Sequence, residues 1–147
     1  VKQSSWMSVA ILGAALAGVL AYSAWQNQHS LTASALTCEV ATGVCEENEG
    51  WALNFSGPIV VNKELTLTLT VPESLSQTSS WQGRLEGRDM YMGVTPVTLS
   101  ASAKSNQYQG QLRIPMCTTQ NMAWRLVLAP SDGSESTVTY EFLMSQP

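Results

Sequence analysis

Sulfur carries most of the reactive chemistry available to this sequence. Met90 and Met92 form a Met-x-Met pair, and Pro115-Met116-Cys117 followed by Met122 places a thiol among further thioethers. On a strand, the two-residue period points Met90 and Met92 to one face. If the 115–122 turn lies beside that strand, Met90, Met92, Met122 and the Cys117 thiolate converge. Soft donors of this kind favour Cu(I) over zinc, magnesium or calcium. The competing reading is that the methionines fill gaps in a core, as unbranched, polarizable side chains do.

The other two cysteines, Cys38 and Cys45, enclose a short stretch. If Val40 to Gly43 form a four-residue hairpin loop, the two face one another across adjacent strands, close enough for a disulfide. Cys117 is then left over, to be buried, intermolecular or a ligand. A redox-active pair is the alternative for Cys38 and Cys45, but their spacing lacks the geometry of Cys-x-x-Cys.

Little else can be assembled into a catalytic site. The only histidine, His29, lies in a polar stretch ahead of the expected domain, which excludes Ser-His-Asp and Cys-His chemistry there. Asp89 and Glu86 are near in sequence, yet nothing gives them the distinct environments of an acid and a base. No His/Asp/Glu cluster, phosphate loop or dinucleotide fingerprint is visible. The expectation is a protein that is not an enzyme. Eleven acidic and seven basic residues give a net charge of −4 without a basic cluster, which argues against nucleic acid as a partner.

These side chains need elements to position them. The chain has 147 residues, room for one folded domain, and only 12% are charged against 44% hydrophobic. Much of that imbalance sits in Trp6 to Trp25, which carries no charge and is long enough as a helix for a bilayer core of about 30 Å. Trp6, Tyr22 and Trp25 resemble an interfacial aromatic belt, and Lys2 argues for a cytoplasmic N-terminus. The expectation is a short cytoplasmic segment over 1–5, a transmembrane helix over 6–25, a tether over 26–37 and an extracytoplasmic domain over 38–147. That places the protein in a bacterial inner membrane with its domain in the periplasm. A cleaved signal peptide is the alternative, since Ala21 and Ser23 offer a small-residue cleavage pattern. Val1 fits either a truncated start or a start codon other than ATG.

Beyond the tether the hydrophobic period is two. Leu65, Leu67, Leu69 and Val71 alternate with threonines, the pattern of a strand with one buried face. Val138, Tyr140, Phe142 and Met144 form a similar face, with Trp124 to Leu128 as partner across an Ala-Pro-Ser-Asp-Gly reversal. Further strands are expected over Trp51 to Ser56, Trp81 to Glu86, Met90 to Ala101 and Tyr108 to Ile114. About seven short strands without an amphipathic helix point to an all-β, immunoglobulin-like two-sheet sandwich.

Gly87-Arg88-Asp89-Met90-Tyr91-Met92-Gly93, Tyr108-Gln109-Gly110, Ile114-Pro115-Met116-Cys117 and Met122-Ala123-Trp124, together with Cys38 and Cys45, resemble a group of membrane-anchored proteobacterial β-sandwich proteins. That group accompanies Sco-type copper chaperones and haem–copper oxidase assembly factors. More distantly, the succession is similar to FixH and YtkA-like domains. The resemblance covers about Cys38 to Leu128. It implies metal handling or oxidase assembly at Met90, Met92, Cys117 and Met122, with a Sco-type chaperone or oxidase subunits as partners. Histidine, a frequent copper ligand in related domains, is missing from this one, which leaves Cu(I) rather than Cu(II). The leading expectation is a membrane-anchored periplasmic Cu(I)-binding or relay protein supporting respiratory oxidase assembly. The alternatives are a metal-free interaction module that holds a partner membrane protein, and a thiol–disulfide enzyme using Cys38 and Cys45.

Overall fold

The computed structural model describes Ile11, residues 13–23 and residues 35–145. The chain divides into two compact units, Val1–Ala33 and Ser34–Pro147. In the first, Ile11 and residues 13–23 are helical. Among the described residues, no helix is long and apolar enough to cross a membrane. This finding corrects the expected transmembrane helix over 6–25 and the inner-membrane, periplasm-facing placement built on it. Lys2, Trp6, Trp25, His29 and residues 26–34 of the expected tether lie outside the described residues. Leu36 and Thr37, at the end of that tether, already belong to a strand.

The second unit is built of strands β1 (Leu36–Glu39), β2 (Val44–Cys45), β3 (Ala52–Phe55), β4 (Glu64–Thr70), β5 (Ser80–Gly87), β6 (Val94–Ala101), β7 (Gln107–Arg113), β8 (Asn121–Pro130) and β9 (Val138–Ser145). Alternation decides which face each one buries. Leu65, Leu67 and Leu69 of β4 are buried, and the threonines between them face outward or lie at the margin. On β9, Val138, Tyr140, Phe142 and Met144 are buried, and Leu143 on the other face is exposed. β8 and β9 pair antiparallel from Asn121↔Ser145 to Leu128↔Val138. Trp81 packs edge-on against Trp51 at 5.4 Å and against Tyr108 at 6.1 Å between ring centroids. The Tyr108 hydroxyl donates to the Thr78 carbonyl at 2.6 Å, so a buried phenol keeps a partner.

The strands form one closed barrel in the order β1-β2-β3-β4-β7-β6-β5-β8-β9. The expected immunoglobulin-like sandwich of two separate sheets and about seven strands is corrected accordingly. Two short ladders make the difference. β1 joins β9 in parallel through Leu36↔Tyr140 and Thr37↔Glu141, and β6 joins β7 through Ser100↔Gln109 and Ala101↔Tyr108. A period of two reports which face of a strand is buried, and it is silent on whether the strand's edge is paired.

The β1–β2 hairpin closes over Val40 to Gly43. Gly43 has φ +73°, and a Cβ there would collide with the Gly57 carbonyl oxygen, so this turn requires glycine. Its N–H donates to the Glu39 carbonyl at 2.8 Å. Cys38 and Cys45 are direct register partners across the hairpin and form a disulfide.

Candidate functional site

Two connections at one end of the barrel bring the sulfurs together. Residues 88–93 link β5 to β6, and residues 114–120 link β7 to β8. Met90 and Met92 therefore sit on a loop, which corrects the expected strand from Met90. Gly93, with φ +81°, turns the chain just before β6 begins at Val94. The same-face argument for the two methionines lapses with the strand. Met90 is 50% exposed, whereas Met92 is partly buried and packed against the core.

The loop's first residues are firmly held. The Arg88 N–H donates to the Ala123 carbonyl at 2.8 Å, extending the β5–β8 ladder by one step. The Arg88 guanidinium donates twice to Asp89, Nε to Oδ1 at 2.9 Å and Nη2 to Oδ2 at 3.0 Å. Its Nη1 reaches Glu141 of β9 at 3.2 Å, and Arg125 Nε donates to the other oxygen of Glu141 at 2.9 Å. Burial pushes the Glu141 carboxyl up, but the hydrogen bonds from Arg125 and Arg88 outweigh it and hold the group below its ordinary range. Asp89, hydrogen-bonded to Arg88, is also held low. Asp89 and Glu86 do not form an acid–base pair, since Glu86 is bonded to Arg84.

Cys117 lies outside the Cys38–Cys45 bridge and is buried, at 5% exposure. Its Sγ is 3.5 Å from Met92 Sδ and 3.0 Å from Thr119 Oγ1. The hydroxyl and N–H of Thr119, joined by the N–H of Thr118, outweigh burial and hold the Cys117 thiol below its usual value. Met122, on β8, is 4% exposed. Its Cε sits over Gly87 beside the Met90 carbonyl, so closely that a Cβ on Gly87 would overlap both. Asp89, Met90, Thr119, Asn121, Met122 and Ala123 line a cleft of about 90 Å³.

Of the four residues expected to converge, the structure joins Cys117 and Met92 directly. Met122 lines the adjoining cleft with Thr119, and Met90 forms its outer wall. Three participants escape a reading for metal ligands. Thr118 and Thr119 are not themselves soft donors, although a threonine two residues after a cysteine is well placed for a local hydrogen bond. Met144 was legible only as a core position on β9, and the register sets it directly opposite Met122. Among the described residues, no group of three or more His, Cys, Asp or Glu gathers for a metal ion.

The hydrogen-bonded thiol leads to a pH prediction. Because the folded pKa of Cys117 is lowered, its thiolate persists below the ordinary thiol range and is lost only as pH falls through the folded value. Removing the hydroxyl in Thr119→Val should move the titration upward. Thiolate absorbance near 240 nm, followed against pH, reads this. An unchanged midpoint would mean that the hydroxyl does not stabilise the anion.

In comparisons with known proteins, no family model, no curated protein and no solved structure matches the chain.

Proposed function

We propose that this is a non-enzymatic Cu(I)-binding and relay protein in which Met92 and Cys117 hold the ion. The observation that carries the reading is the 3.5 Å approach of Cys117 Sγ to Met92 Sδ, between residues on two different loops. A thiolate and a thioether are soft donors and suit Cu(I) better than zinc, magnesium or calcium. The hydroxyl and N–H of Thr119 and the N–H of Thr118 favour the Cys117 anion, the form a ligating thiol must take, and the thiol proton now donated to Met92 Sδ would give way to the ion. At a metal–sulfur length of about 2.3 Å, two sulfurs in a trigonal set stand roughly 4 Å apart. The present contact needs to open by about half an ångström, and unbranched Met92 can supply that by rotation. Met122 lines the neighbouring cleft with Thr119, and neither it nor half-exposed Met90 is part of the holding pair.

A role in haem–copper oxidase assembly, with a Sco-type chaperone or an oxidase subunit as partner, is the setting we assign to this chemistry. It is supported by the Gly-Arg-Asp-Met-x-Met-Gly and Pro-x-Cys-x₄-Met-x-Trp segments and by their resemblance to proteins of that setting. A metal-free interaction module is the second reading. It is favoured by the exposed apolar side chains of Met90, Tyr91, Val94 and Met116.

X-ray absorption at the copper edge of the Cu(I)-loaded full chain separates the two readings. The Cu(I) reading expects a first shell containing sulfur at about 2.3 Å, with one sulfur lost in Cys117→Ser. A shell of nitrogen and oxygen alone would favour the interaction module.

A further inference from the structure

Both loops of the sulfur site follow one arrangement. The 88–93 loop turns Met90 outward at 50% exposure and Met92 inward onto the core. The 114–120 loop turns Met116 outward at 61% and Cys117 inward at 5%. Each loop thus offers one sulfur to solvent and one to the interior, with the inner two in contact at 3.5 Å. Tyr91, between the two methionines of the first loop, is 85% exposed.

Exposed methionines beside a buried sulfur pair have a chemical consequence. Cu(I) passes between soft ligands by association, with an incoming sulfur binding before the outgoing one leaves. Buried Cys117 cannot meet a carrier in solution directly. A thioether needs no deprotonation, remains available at any pH and is flexible enough to follow the ion. An entry site must also bind weakly enough to release what it receives, which suits a lone exposed thioether better than a thiolate.

We propose that Met90 and Met116 form an outer capture pair that takes Cu(I) from its carrier and passes it to the inner pair, Met92 and Cys117. The ion moves as Cu(I) throughout, with no change of oxidation state, and the Cys117 proton is released to solvent as the inner site fills. This division of roles rests on the Cu(I) reading given above. It assigns the outer methionines to the rate of loading and the inner sulfurs to retention.

The test uses the full chain under reducing conditions, with Cu(I) supplied as its bicinchoninate complex and transfer followed by stopped-flow absorbance. Wild type is compared with Met90→Leu/Met116→Leu and with Met92→Leu. Both outer positions are on the surface, and the thermal midpoint of each variant is read alongside. The outer double variant should load about tenfold more slowly and retain copper against chelator as wild type does. The Met92→Leu variant should retain copper more weakly against chelator. Loading of the outer variant at the wild-type rate overturns the capture pair. Loss of retention in the outer variant equal to that in Met92→Leu also overturns it, because all the sulfurs would then be ordinary ligands. A wild-type chain that retains no Cu(I) refutes the Cu(I) reading itself, and the capture pair with it.

Discussion

Replacing Cys38 and Cys45 by serine should lower stability by about 2.5 kcal/mol, the chain-entropy value for so short a loop. For a domain of this size the thermal midpoint should fall by roughly 10 °C. The loss has a particular location. The bridge staples β2 to β1, and β1 closes the barrel through its two-residue parallel ladder with β9. Next to the bridge, the Glu46 N–H donates to the Thr37 carbonyl at 2.8 Å, and the Thr37 N–H donates to Glu46 Oε2 at 3.0 Å. Without the disulfide these amides should exchange with solvent much faster, while the long β8–β9 ladder stays protected. A midpoint insensitive to the double substitution, or to reduction of the native chain, would show that the hairpin closes the barrel without its staple.

The disulfide belongs to the part of the structure that was readable from residue spacing, because a hairpin loop and its flanking partners are local. The same holds for β4 and for the β8–β9 hairpin, where alternation names the buried side chains one by one. Closure of the barrel was not readable. It depends on two short ladders of two residue pairs each, one between the consecutive strands β6 and β7 and one between β1 and β9 at opposite ends of the domain, and Leu36 and Thr37, which make the second, look like the end of a polar tether. The Met90 to Val94 stretch misleads for another reason. Its apolar residues continue the strand pattern of β6, but a left-handed glycine at 93 and the Arg88–Asp89–Glu141 network make it a loop. The N-terminal apolar run is a further difference, since its composition fits a membrane span while among the described residues no helix is long and apolar enough to cross a membrane.

The candidate site was legible in its elements and only partly in its assembly. Sulfur content singles out Met92 and Cys117, and the fold brings them together through two loops 25 residues apart in sequence. The division between exposed and buried sulfurs was hidden, because on a strand Met90 and Met92 would have shared a face. Thr119 was hidden as well, since its part is to hold an anion and not to bind metal.

Cys117→Ser should have the largest effect on metal retention, because it removes the only thiolate of the proposed pair. An alcohol is a hard, weakly acidic donor that Cu(I) does not favour. Met92→Leu should also weaken binding while keeping the fold, since exchange of Met for Leu nearly conserves volume and typically costs less than about 1.5 kcal/mol. A methionine that only fills space would leave copper retention unchanged by the same exchange. The most direct measurement is an equilibrium competition for Cu(I) between the full chain and a chelator of graded strength under reducing conditions. One Cu(I) should be held per wild-type chain, with weaker holding by Met92→Leu and loss in Cys117→Ser, all three proteins remaining folded. Equal retention by all three, or none by the wild type, would rule out a Cu(I) site at Met92 and Cys117.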